Sequence, residues 1–140
     1  MKRLFITKPA DPVFSFGILF LRLGAGLLML INHGYTKVQH FNEMAPKFAD
    51  PFHIGPSTTL VLVIFAELIC AGFVVIGLFT RLASMVLIVH LLFAFFEIHK
   101  ANYASPPVGG EMALIFLTCF IALLFTGAGK FSVDRLFNKR

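Results

Sequence analysis

Phe14-Ser15-Phe16-Gly17-Ile18-Leu19-Phe20-Leu21-Arg22-Leu23-Gly24-Ala25-Gly26-Leu27-Leu28-Met29-Leu30-Ile31, with its exit Asn32-His33-Gly34-Tyr35, is the stretch that decides how the rest of the chain is read. A run this long and this apolar matches a transmembrane helix of about 20 residues. It also holds an arginine near its centre. A guanidinium facing hydrocarbon would cost several kcal/mol, so Arg22 is expected to face the protein interior and to find a partner there. On a regular helix Arg22 and His33 return to nearly the same azimuth at about 100° per residue, roughly 16 Å apart along the axis. Gly26, one turn past Arg22, would let a neighbouring helix or a ligand approach closely.

The rest of the composition agrees with a membrane setting. Of 140 residues, 58% are hydrophobic and 14% charged. That is too apolar for an ordinary soluble domain, and the apolar residues come in blocks of spanning length. Met1-Lys2-Arg3 ahead of an apolar run suggests a signal peptide, but the run is too long, contains Arg22 and lacks a small-x-small cleavage site, so a retained span is expected. The net charge of +5 gathers at the ends of apolar runs, which suits membrane topology and not nucleic acid. Cys70 and Cys119 are single residues inside apolar runs with no C-x-x-C, so dithiol chemistry has no pair to act through and both are expected to be small packing residues.

Four spans are predicted, at about 13–33, 57–79, 82–99 and 111–127. They imply an all-α membrane protein, an antiparallel four-transmembrane-helix bundle forming a single domain over residues 1–140. Residues 34–57 make a polar connection in which Phe41, Met44 and Phe48 recur at helical spacing, as in a segment lying in the interface as a lid; Pro46, Pro51 and Pro56 restrict it to short pieces, as in a plain linker. Thr80-Arg81 reads as the turn between the second and third spans, and Gly127-Ala128-Gly129 as a helix stop. Four spans put both termini and the Thr80-Arg81 turn on one side, which collects Lys2, Arg3, Lys8, Arg81, Lys130, Arg135, Lys139 and Arg140. The other side has Lys37, Lys47 and Lys100. This imbalance predicts cytoplasmic termini in a plasma (inner) membrane.

Depth along the spans then sorts the polar residues. Arg22, Glu67 and His90 come out near the midplane, and Arg22 with Glu67 is the expected buried ion pair, since a guanidinium fork matches a carboxylate. His33, Lys37, Glu97, His99 and Glu111 come out near the outer surface. Glu97 stands seven residues from His90 and shares its azimuth on a regular helix. The expected arrangement is a polar shaft from the outer side down to Arg22, closed at the inner end by Leu78, Phe79, Leu82 and Phe125. No H-x-x-H, H-x-x-x-H or E-x-x-H spacing places two candidate ligands among His33, His90, His99, Glu97 and Glu111 one turn apart on a helical face, so no metal site is predicted.

Leu21-Arg22-Leu23-Gly24, Asn32-His33-Gly34-Tyr35-Thr36-Lys37, Glu67, Gly77-Leu78-Phe79-Thr80-Arg81-Leu82-Ala83, Gly110-Glu111 and Gly127-Ala128-Gly129-Lys130-Phe131-Ser132-Val133-Asp134 together resemble the DoxX family of small four-helix membrane proteins. The resemblance covers about residues 14–136. It implies a bacterial or archaeal inner-membrane protein; one relative is a subunit of a thiosulfate:quinone oxidoreductase and others are linked to redox-stress complexes. The family pattern points to Arg22, His33, Lys37, Glu67 and Glu111, whereas His90 and Glu97 rest on helical geometry. The expected function is that of a membrane subunit of a quinone- or sulfur-linked redox system, with these seven residues as ligand-binding or proton-relay candidates and a quinone or small anion as the ligand. A partner oxidoreductase or a homo-oligomer is the expected assembly. A non-catalytic scaffold subunit and a small-solute transporter are the alternatives, and the residues do not decide whether the protein is itself an enzyme.

Overall fold

The computed structural model describes residues 12–98 and 110–137, and these are helical with short connections. Helix α1 (Pro12–Gln39) opens with a proline in its first turn, where the missing N–H would have no helical partner anyway. A short helix α2 (Phe41–Met44) and a 3₁₀ turn (Ala45–Lys47) follow. Helix α3 (Pro56–Ile76) and helix α4 (Thr80–Glu97) come next. By length and composition α1, α3 and α4 can each cross a membrane. Helix α5 (Glu111–Thr126) is a shorter apolar helix of 16 residues, and helix α6 (Val133–Phe137) closes the described chain.

The core is built from facing stripes of four helices. Ile18, Ala25 and Met29 of α1 meet Cys70, Ala71 and Val74 of α3, Leu87 and Leu91 of α4, and Phe116, Phe120 and Leu123 of α5. The opposite faces are large and apolar: Phe20, Val61, Leu62, Val89 and Phe125 are all more than half exposed. Such a surface suits lipid and is unusual against water. Small residues permit the closest contacts, as at Gly26, whose added Cβ would lie 2.7 Å from Val75 Cγ2.

Three stretches widen from α- to π-helical: Met29–Tyr35 in α1, Phe65–Cys70 in α3, and Ala94–Ile98 at the end of α4. A wide turn inserts one residue and re-phases everything beyond it. Through the first of these α1 passes His33 and Gly34 without stopping, so it ends at Gln39 and not near residue 33. The connection to α3 is tied by Asp50, whose carboxylate accepts from the N–H groups of Ile54 (3.1 Å) and Gly55 (2.8 Å) and from the Thr59 hydroxyl (3.0 Å). Although desolvation acts in the opposite sense, these hydrogen bonds hold the Asp50 carboxyl below the ordinary carboxylate range. Phe52 stacks on Phe93 of α4 at 4.9 Å, so the segment folds back over the helices.

The junction between α3 and α4 falls earlier than Thr80-Arg81. Gly77 takes the left-handed conformation (φ 75°), with the N–H groups of Gly77 and Leu78 both returning to the Phe73 carbonyl. Thr80 and Arg81 already belong to α4. Residues 1–11, 99–109 and 138–140 lie outside the described residues, and with them the expected loop residue His99.

Candidate functional site

The structure divides the expected midplane cluster in two. Arg22 is 1% exposed, but its guanidinium does not meet Glu67. Nε donates to the Val74 carbonyl at 2.9 Å and Nη2 to the Val75 carbonyl at 2.9 Å. Nη1 donates to the Phe131 carbonyl at 2.9 Å and to the Ala128 carbonyl. Val74 and Val75 lie in the last turn of α3, where a cation is favoured by the helix dipole; the Val74 carbonyl also accepts from the Gly77 N–H at 3.1 Å, and Arg22 takes up the remaining acceptor capacity. Arg22 thus completes the end of α3 and fastens the 127–132 segment to it. Gly34 of α1 lies against the Glu67 peptide and Gly26 against Ala71 and Val75, so the register of this antiparallel pair sets Arg22 level with the end of α3 and not with Glu67. The expected Arg22–Glu67 pair is therefore replaced by four backbone acceptors.

Glu67 instead sits near the middle of α3, 5% exposed, and is shared by two other helices. Its Oε2 accepts from Lys37 Nζ of α1 at 2.6 Å, and its Oε1 is hydrogen-bonded to His90 Nε2 of α4 at 2.9 Å. His33 lies within electrostatic range of Glu67, Lys37 and His90. Its ring stands edge-on to Phe116 of α5, centroids 5.5 Å apart. The outcome is a carboxylate with a charge-assisted partner on each oxygen, a third nitrogen base nearby, and an aromatic wall. Both partners keep some access, since the Lys37 side chain is 18% and the His90 side chain 14% exposed.

Of the seven candidates, His33, Lys37, Glu67 and His90 converge, while Arg22 belongs to the clamp at the other end. Glu97 and Glu111 are exposed, and the Glu67 carboxylate has its hydrogen bonds to Lys37 and His90, which with it form the Lys37–Glu67–His90 triad. Glu97 lies in the wide turn Ala94–Ile98, which removes the azimuth that seven regular residues would give it. Glu111 occupies the first turn of α5, where a negative charge complements the helix dipole. Of the expected inner plug, Phe79, Leu82 and Phe125 are 49%, 54% and 77% exposed, and Leu78 alone of the four is half-buried. Among the described residues no three His, Cys, Asp or Glu side chains are placed to share a metal ion.

Three residues outside the candidate set shape both ends. Asp134 accepts from the N–H groups of Phe79 (2.7 Å) and Thr80 (3.0 Å), capping α4, while its own N–H donates to the Gly77 carbonyl at 2.8 Å. Gly77 lies over the Arg22 guanidinium, and an added Cβ there would be 2.8 Å from Arg22 Cζ. Gly34 lets α1 touch the backbone of α3 beside Glu67. In the sequence these residues are visible as parts of the Gly77–Ala83, Gly127–Asp134 and His33–Lys37 motifs, but a motif does not say which segments meet.

Comparison with known proteins agrees with the residue pattern. The DoxX family model matches residues 17–100. An uncharacterized protein of Haemophilus influenzae is 36% identical over 78 residues, covering 53% of this chain and 58% of the relative. A second uncharacterized protein of the same organism is 29% identical over 101 residues, covering 71% of this chain and 67% of the relative. The chain thus spans less than two thirds of the first relative's length. No solved structure matches.

Proposed function

The chain belongs to the DoxX family, and from that premise we propose that it is a membrane subunit of a redox system whose Lys37–Glu67–His90 site, with His33 beside it, binds a quinone head group and exchanges its protons. The observation that carries this reading is the Glu67 carboxylate held between Lys37 at 2.6 Å and His90 at 2.9 Å, from three helices. Ionisable groups inside a span are costly and are retained where they act on a ligand or a proton. A helix-register lock alone would be a sufficient reason for one ion pair, but Arg22 already ties α1 to α3 elsewhere. Lys37 and His90 can donate to quinone oxygens, Glu67 and His33 can pass protons, and Phe116 offers a flat apolar wall. The two electrons of quinone reduction come from a partner oxidoreductase.

In this reading the chain is one domain, with α1, α3, α4 and α5 crossing the plasma membrane as an antiparallel four-helix bundle and with both termini in the cytoplasm, as the basic residues favour. The test is equilibrium binding of a short-tailed quinone to the protein in nanodiscs. Saturable binding weakened about tenfold or more by Glu67→Gln and by His90→Gln, and unchanged by Asp50→Asn, is the expected result. Equal binding by all four proteins would overturn it. A non-catalytic assembly subunit is the second reading, favoured by both Glu67 oxygens already having intramolecular partners. A partner protein that co-purifies equally well with Glu67→Gln would support that reading.

A further inference from the structure

The contact between α1 and α3 at the triad is set by one residue. A Cβ built on Gly34 would stand 2.7 Å from both the carbonyl carbon and the carbonyl oxygen of Glu67, and 2.8 Å from the Leu68 nitrogen. All three are backbone atoms, so no rotamer change relieves the overlap and the helices themselves must part. Gly34 lies in the wide turn Met29–Tyr35, and the peptide it touches lies in the wide turn Phe65–Cys70. Its neighbours are His33, which faces the triad electrostatically, and, three residues on, Lys37, which bonds Glu67.

We propose that Gly34 is a positioning residue for the Lys37–Glu67–His90 site: by lacking a Cβ it seats the wide turn of α1 on Glu67's own peptide and so brings Lys37 onto the carboxylate. This deepens the reading of the triad as a site and rests on that reading for its functional weight. Gly26 is the internal comparison. An added Cβ there meets Val75 Cγ2 at 2.7 Å, the tip of a side chain that can rotate, and its nearest backbone atom is the Ala71 oxygen at 3.4 Å.

A lipid-soluble carbodiimide tests the placement directly. It activates a carboxylate, and an amine in contact then attacks the carboxyl carbon; the carbodiimide leaves as a urea carrying the carboxyl oxygen, and the chain loses the mass of one water. Wild-type protein and Gly26→Ala in nanodiscs should both give the Lys37–Glu67 amide, identified by peptide mass mapping. Gly34→Ala should give about tenfold less, because an ångström of displacement is enough to remove a reactive contact. Its His90 imidazole nitrogen resonance, assigned with His90→Gln, should also move from the wild-type position. Cell-free synthesis directly into nanodiscs supplies Gly34→Ala if cells do not accumulate it. Cross-linking of Gly34→Ala at the wild-type level would overturn the proposal. Neither measurement uses a ligand, so a failure to bind quinone leaves this result standing, and the reverse also holds.

Discussion

Arg22 and Glu67 are both buried and oppositely charged, yet each is satisfied by a different kind of partner. Arg22 spreads its charge over four carbonyls, whereas Glu67 holds one lysine and one histidine. Along α3 the carbonyl of Val74 is seven residues beyond Glu67, about 10 Å at the helical rise. Groups that far apart with no shared partner contribute independently. Arg22→Leu and Glu67→Gln should each lower stability, and the double variant should lose the sum of the two to within about 0.5 kcal/mol. Arg22→Lys should rescue little, because a single ammonium cannot span the fork of carbonyls. Reversible unfolding of the detergent-solubilised variants measures the coupling, and a value above about 1 kcal/mol would restore a direct Arg22–Glu67 interaction.

The helices owe their ends to residues that lie far off in the chain. Helix α3 finishes on Gly77 and Arg22, and α4 begins on Asp134, 54 residues beyond Thr80. Asp134→Ala should therefore cost about 1 kcal/mol, as for other lost caps, and Asp134→Asn should cost less. Amide hydrogen exchange should quicken at Phe79 and Thr80 and stay unchanged at the far end of α4. Uniform acceleration along α4 would show that Asp134 supports general packing and not the cap. The wide turns belong to this scale too. They were not legible in the sequence, because weak helix formers such as Asn32, His33 and Gly34 do not say how a helix will adjust and Phe65–Cys70 carries no mark of widening; both stretches widen where Gly34 meets the Glu67 peptide.

Taken whole, the molecule presents an apolar girdle with a polar triad at one level and a hydrogen-bonded clamp at another. If α1, α3, α4 and α5 all span the bilayer, the 40–55 connection and the clamp segment lie on opposite faces. Cysteines replacing Asn42 and Lys130 should then react with an impermeant maleimide from opposite sides of the membrane. Labelling of both from one side would remove one span from the bundle. Asn42 is exposed, so burial does not confound its result.

The sequence by itself determined the solvent, the helical class and the family resemblance, because hydropathy and span length are sums over many residues that no single contact can reverse. It also singled out Glu67 and His90 as ionisable groups inside apolar runs, and His33 and Lys37 as polar groups at the exit of the first run that the family pattern shares. Only the tertiary structure decided who pairs with whom. Azimuth and depth counted on an ideal helix joined Arg22 to Glu67 and Glu97 to His90, but wide turns re-phase a helix, and the seating of Gly34 on the Glu67 peptide sets Arg22 level with the end of α3. Backbone carbonyls, which took Arg22 in place of a carboxylate, are present at every position and so leave no mark in a sequence; they become partners only where a helix ends against another chain segment.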